Sequence, residues 1–135
     1  MPIRVTVDTN ILVSAAINEG NPYKILKLAK EGKITLVISL DILKEFKGVI
    51  SRPRFGFSET QINNVLKQII AISEIIISTT KINFVKADPA DDKILEAAFS
   101  GKSDFLVSGD KHLLDVGEYR GIKIVKVTQF LNLLG

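Results

Sequence analysis

Ile3-Arg4-Val5-Thr6-Val7-Asp8-Thr9-Asn10 is the stretch on which the reading of this chain turns. Its first five residues are a short β-rich run, and it ends abruptly in three oxygen-bearing side chains. The pattern returns at Phe105-Leu106-Val107-Ser108, which runs into Gly109-Asp110. Further short strands are predicted at Ile34–Ile38, at 75–77 and at 122–127. Helical patterns separate them: Ile11–Ile17, the run behind Asn21-Pro22, the run carrying Ile42, Phe46, Val49 and Ile50, and the run carrying Ile62, Val65, Leu66 and Ile69. Asn21-Pro22 reads as an N-cap followed by proline at the first helical position. Ser58-Glu59-Thr60-Gln61 reads as a capping box. Asp88-Pro89-Ala90-Asp91 reads as another helix start, and Gly101 ends that helix. Lys111–Asp115 is a short helix and Phe130–Leu134 a terminal apolar turn. Strands alternating with helices indicate an α/β fold: a three-layer α/β/α sandwich around a mostly parallel five-stranded sheet, in one domain over 1–135.

The composition limits the function. Hydrophobic residues make up 46% of the 135, enough to close one core. Cysteine is absent, so no thiolate metal site or disulfide framework exists. The apolar stretches are short and broken by charge, and the N-terminus lacks the sections of a signal peptide. The expectation is a soluble, cytoplasmic protein. Residues 1–86 carry 12 Lys+Arg against 7 Asp+Glu, whereas 87–135 carry 6 against 8. A basic part beside an acidic one suits a phosphate-rich ligand across a metal site, although solvated surface charge explains it too.

In parallel α/β sheets, ligands sit outside the carboxyl ends of the strands. Asp8 and Asp110 lie at such ends, Asp92 in the first turn of the helix feeding the fourth strand, and Glu45 in the helix leaving the second. All four can face one rim. Asp88 and Asp91 already have roles as cap and first-turn acid. Asp92 is not needed there and is the third choice, with Asp91 and Glu96 as secondary candidates. His112 is the only histidine, which argues against zinc. Four converging carboxylates repel one another unless a cation joins them. All-oxygen donors favour Mg²⁺ or Mn²⁺, which can activate a water and neutralise a phosphate.

Val-Asp-Thr-Asn at 7–10, Glu45, Asp-Asp-Lys-Ile-Leu-Glu-Ala-Ala at 91–98 and Val-Ser-Gly-Asp-Lys-His-Leu-Leu at 107–114 resemble the PIN domain family. Arg-Pro-Arg-Phe at 52–55 resembles its branch of toxin components related to VapC-type ribonucleases. The resemblance covers essentially the whole chain. It implies a Mg²⁺- or Mn²⁺-dependent endoribonuclease acting on RNA, a homodimer, and a protein antitoxin as partner. By position, Asp8, Glu45, Asp92 and Asp110 match the catalytic and metal-binding acids, and Thr9, Asn10 and Ser108 the supporting positions. Many relatives have Thr where this chain has Ser108. Arg52 and Arg54 are candidates for binding substrate. The alternatives are a catalytically silent RNA-binding or scaffold module, and a phosphatase or receiver-like domain. The second is disfavoured because a phosphatase of that kind wants an acid at position 10, which is Asn.

Overall fold

The computed structural model describes residues 2–79, 81 and 89–134. The strands are β1 (Ile3–Val7), β2 (Ile34–Ser39), β3 (Ser73–Ile76), β4 (Phe105–Val107), β5 (Glu118–Tyr119) and β6 (Ile122–Val125). The helices are α1 (Thr9–Ile17), α2 (Asn21–Lys30), α3 (Leu40–Ile50), α4 (Glu59–Ile72), α5 (Pro89–Ser100), α6 (Lys111–Val116) and α7 (Val127–Leu134). They form the expected three-layer α/β/α sandwich.

The sheet order is β3-β2-β1-β4-β6-β5, parallel except where β5 joins β6. β1 lies in the middle, paired to β2 on one side and β4 on the other. The chain therefore builds outward from β1 through β2 and β3, then returns to continue through β4. The turning point is the β1/β4 boundary, where diverging connections leave a crevice above the carboxyl ends of the strands.

The apolar runs seen in the sequence are the buried ones. Val5, Val7, Leu36, Ile38, Leu106 and Val107 line the sheet, while Leu12, Ile25, Phe46, Leu95 and Phe130 cover it from the helices. Phe105 and Phe130 meet edge to face at 5.5 Å. No helix among the described residues is long and apolar enough to cross a membrane.

Several sequence expectations need correcting. The sheet has six strands, not five. β5 is only two residues long and turns into β6 through Arg120 and Gly121, both at positive φ. That is the geometry of a tight hairpin, but without the Asn-Gly that usually marks one. The Arg120 guanidinium lies over the rings of Phe99 and Tyr119, at 4.9 and 5.3 Å, which accompanies this unusual turn residue. The last strand stops at Val125, and Val127–Leu134 is a helix rather than strand end and turn. α1 starts at Thr9, two residues before the expected Ile11. Gly20 occupies the N-cap of α2, with Asn21 already helical. The capping box at Ser58 and Gln61 is present in both directions. The expected cap at Asp88 lies outside the described residues.

Candidate active site

The site is built from two helix caps that face each other across the β1/β4 boundary. Asp8 ends β1 and is the N-cap of α1: its Oδ1 accepts the Ile11 amide at 2.9 Å. Its own amide donates to the Val107 carbonyl at 3.1 Å, so the carboxylate is pinned to the end of β4. Asp110 is the N-cap of α6, accepting the His112 amide at 2.8 Å and the Leu113 amide at 3.4 Å through Oδ1. Capping and pocket lining are therefore one job at these positions, because a cap places a carboxylate where a strand ends and a helix begins.

One hydroxyl couples the two acids. Ser108 Oγ donates to Asp8 Oδ2 and accepts the Asp110 amide at 3.0 Å. Ser108 is fully buried. Replacing it with Ala strands a buried carboxylate oxygen and an amide, each worth about 1–3 kcal/mol when unsatisfied. Ser108→Ala is expected to lower stability by about 2 kcal/mol in denaturant melts. An unchanged midpoint would show that the hydroxyl bridge carries no weight.

Asp8, Thr9, Asn10, Glu45, Asp91, Ile94 and Asp110 line one cavity of about 100 Å³ at this boundary. Glu45 reaches it from α3, whose start is fixed by Ser39 Oγ accepting the Ile42 amide at 3.1 Å. Asp91 and Ile94 come from the first turns of α5, one turn apart and hence on one face. Of the two adjacent acids, Asp91 lines the cavity; Asp92 is also buried but is not among the lining residues. Cap logic assigned Asp91 to the helix end and left Asp92 over. It could not say how α5 is rotated about its axis, and that rotation is what points Asp91 at the cavity. Glu96 is likewise not among the lining residues. His112 is exposed and gives the site only its backbone amide. Arg52 and Arg54 are exposed, beyond the end of α3.

Burial pushes the Asp8 carboxyl above its ordinary value, and the neighbouring Asp110 adds to that. The Ser108 hydroxyl and the amides of Ile11 and Gly109 pull it down without cancelling the effect. Thr9, 3% exposed, buries a hydroxyl oxygen that has no hydrogen-bond partner. A buried polar atom without a partner is uncommon and calls for a ligand or water beside it. Among the described residues, no three acidic or histidine side chains are gathered tightly enough to hold an ion unaided. Mg²⁺ does not need that: it keeps several waters and takes one or two protein carboxylates together with substrate phosphate. An all-oxygen set with an orphaned hydroxyl and a carboxylate destabilised by burial fits such an ion.

The PIN domain family matches residues 4–112. The chain belongs to the PIN domain family. An uncharacterized protein of Methanocaldococcus jannaschii is 36% identical over 118 residues, covering 84% of this chain and 75% of that protein. Among solved structures, VapBC2 from Rickettsia felis, bound to a DNA fragment from its promoter, superposes with a TM-score of 0.65. The match covers 90% of this chain and 97% of the other at 20% identity, a likeness of fold. The PIN residues of this chain thus include the whole candidate site, from Asp8 to Asp110.

A second concavity of about 430 Å³ lies between α1, α2 and α4. Ala15, Ala16, Leu26, Val65, Ile69 and Ile72 make it apolar, and Lys27 and Lys30 stand among its lining residues.

Proposed function

We propose that this PIN domain is a Mg²⁺- or Mn²⁺-dependent endoribonuclease and the toxin of a toxin–antitoxin pair. The observation that carries the reading is the pair of buried or half-buried helix-cap acids, Asp8 and Asp110, coupled by Ser108 above the β1/β4 boundary. Glu45 and Asp91 complete the acidic lining. We assign the metal-binding and catalytic positions to Asp8, Glu45, Asp91 and Asp110, so that Asp91 takes the place first given to Asp92. When bound, the divalent ion supplies positive charge against the scissile phosphate and acidifies an attacking water. Asp8 is aimed by the Ile11 amide and the Ser108 hydroxyl, and a bound cation would offset the cost of burying its charge. Thr9 Oγ1, buried and unpartnered, would donate to a water or phosphate oxygen once the site is filled. Asn10, exposed at the rim, offers an amide to the substrate. Ser108 positions the two acids without touching the substrate.

Single-stranded RNA should be cut in Mg²⁺ or Mn²⁺ and left intact in EDTA. Asp91→Asn is expected to lower the rate at least tenfold more than Asp92→Asn, because a contact to developing charge is worth about a hundredfold. Equal loss in both variants would return the third position to Asp92 or split it between them. RNA binding that EDTA does not touch, with no turnover, would favour a silent RNA-binding module instead.

The partner part of the reading rests on the apolar groove between α1, α2 and α4. An amphipathic helix laid there would bury its apolar face, and acids at its edge would meet Lys27 and Lys30. A homodimer would use other apolar surface, for which Leu133 and Leu134 at the end of α7 are exposed. The cytoplasm, where RNA and such a partner meet, is the compartment this function requires.

A further inference from the structure

Glu45, Gly48 and Arg52 recur three and four residues apart along α3 and its end, so they share one face. All three are exposed, as are Lys44 and Lys47 beside them. Glu45 stands at the cavity, so this face runs away from the site. Gly48 is in the middle of the helix, where glycine is the poorest helix former after proline. A Cβ built there meets no atom within 4 Å. Packing within the protein therefore does not ask for glycine at this point. What glycine does is keep the surface low between Glu45 and Arg52.

Beyond α3 the chain makes a single tight turn at Pro53–Phe55, closed by Gly56 at φ 66°. The Arg54 guanidinium carbon is 4.8 Å from the centroid of the Phe55 ring. The Phe57 ring is parallel to Phe55 within 7°, at 6.1 Å. Both phenylalanines are half-buried and packed against the core, whereas Arg54 is exposed. The rings thus anchor the turn and hold a guanidinium at its surface. Such planes are what single-stranded bases stack on, and a base in a duplex has no free face to offer. The phosphates of the same strand need cations, which Lys44, Lys47 and Arg52 provide.

We propose that α3 and the turn after it form a track for single-stranded nucleic acid, crossing Gly48 and stacking a base on Arg54, with Phe55 positioning that guanidinium. Only the direction of the track, toward Glu45 and the cavity, rests on the nuclease reading; the binding does not. The test is the affinity of the Asp8→Asn protein for a short mixed-sequence oligoribonucleotide, single-stranded or as a duplex, by fluorescence anisotropy. Arg54→Lys keeps the charge and loses the plane. Phe55→Leu keeps an apolar side chain and loses the ring face, whereas Phe55→Tyr keeps both. Arg54→Lys and Phe55→Leu should each weaken single-strand binding about tenfold and leave duplex binding unchanged. Phe55→Tyr should bind like the parent. Gly48→Leu should weaken single-strand binding without lowering the melting temperature. Parent-like affinity in Arg54→Lys and Phe55→Leu, or equal losses for single strand and duplex, overturns the proposal. Wild-type protein that cleaves in Mn²⁺ while those variants bind normally leaves the nuclease standing without the track. Variants that lose binding in a protein that never cleaves leave the track without the nuclease.

Discussion

Asp8→Asn is expected to reduce metal-dependent RNA cleavage at least about a hundredfold, the scale on which losing one contact to transition-state charge is felt. The same substitution should raise the melting temperature of the metal-free protein. Asparagine caps a helix as well as aspartate does, so the bond from the Ile11 amide survives. What disappears is a buried carboxylate whose folded pKa lies above its ordinary 3.8. An acid with a raised folded pKa binds its proton more tightly in the folded than in the unfolded chain. Stability therefore falls as pH rises from about 3.8 through the raised folded value, and the penalty stays constant above it. The Asn variant lacks this dependence. Its stability advantage should be full at neutral pH and shrink as pH falls toward 3.8. Melting curves of both proteins in EDTA across acid and neutral pH check this. With Mn²⁺ at about a hundred times its dissociation constant, wild type should gain about 2.7 kcal/mol. The variant should gain much less. A hundredfold loss of cleavage without any change in Mn²⁺ stabilisation would mean that Asp8 acts on substrate rather than through metal.

Gly101→Ala should be the most damaging small substitution for the fold. A Cβ at Gly101 falls 2.4 Å from Val37 Cγ1 and 2.9 Å from the Ala97 carbonyl oxygen. Val37 is fully buried in β2, and a β-branched side chain has little rotamer freedom to move aside. The Gly101 carbonyl also accepts the Arg4 Nε at 2.9 Å, tying the α5–β4 junction to β1. Moving the backbone to relieve one contact strains the other. The expected cost is about 3 kcal/mol, at the upper end of ordinary overpacking. In the Val37→Ala background the methyl in the way is gone, and the added cost of Gly101→Ala should drop by more than half. Urea melts of the four proteins of this cycle measure it. Additive losses would place the strain at the helix end rather than at Val37.

Gly101 also shows where sequence reading stops. It ends α5, as a glycine after a helical pattern suggests. The stronger reason for it is the Val37 side chain, sixty-odd positions earlier in the chain, which leaves no room for a Cβ. The strands and most helices were legible because each carries its own period of apolar residues. β5 was not, since two residues give no period and Arg120-Gly121 lacks the usual hairpin signal. α7 was short and apolar enough to pass for a turn. At the site, Asp8 and Asp110 were legible from their positions at strand ends, and the structure explains them as caps as well.

Sequence alone determined the fold class, the absence of cysteine, and that Asp8, Glu45 and Asp110 stand where they can line one cavity. Those properties live in local period and residue type. Tertiary structure decided the rest. The rotation of α5 puts Asp91 rather than Asp92 on the cavity. Pairing of β1 with β4 brings Ser108 between Asp8 and Asp110, a hundred and two positions apart for the acids themselves. Burial then raises the Asp8 pKa, because desolvation depends on what surrounds a charge and not on its neighbours in sequence.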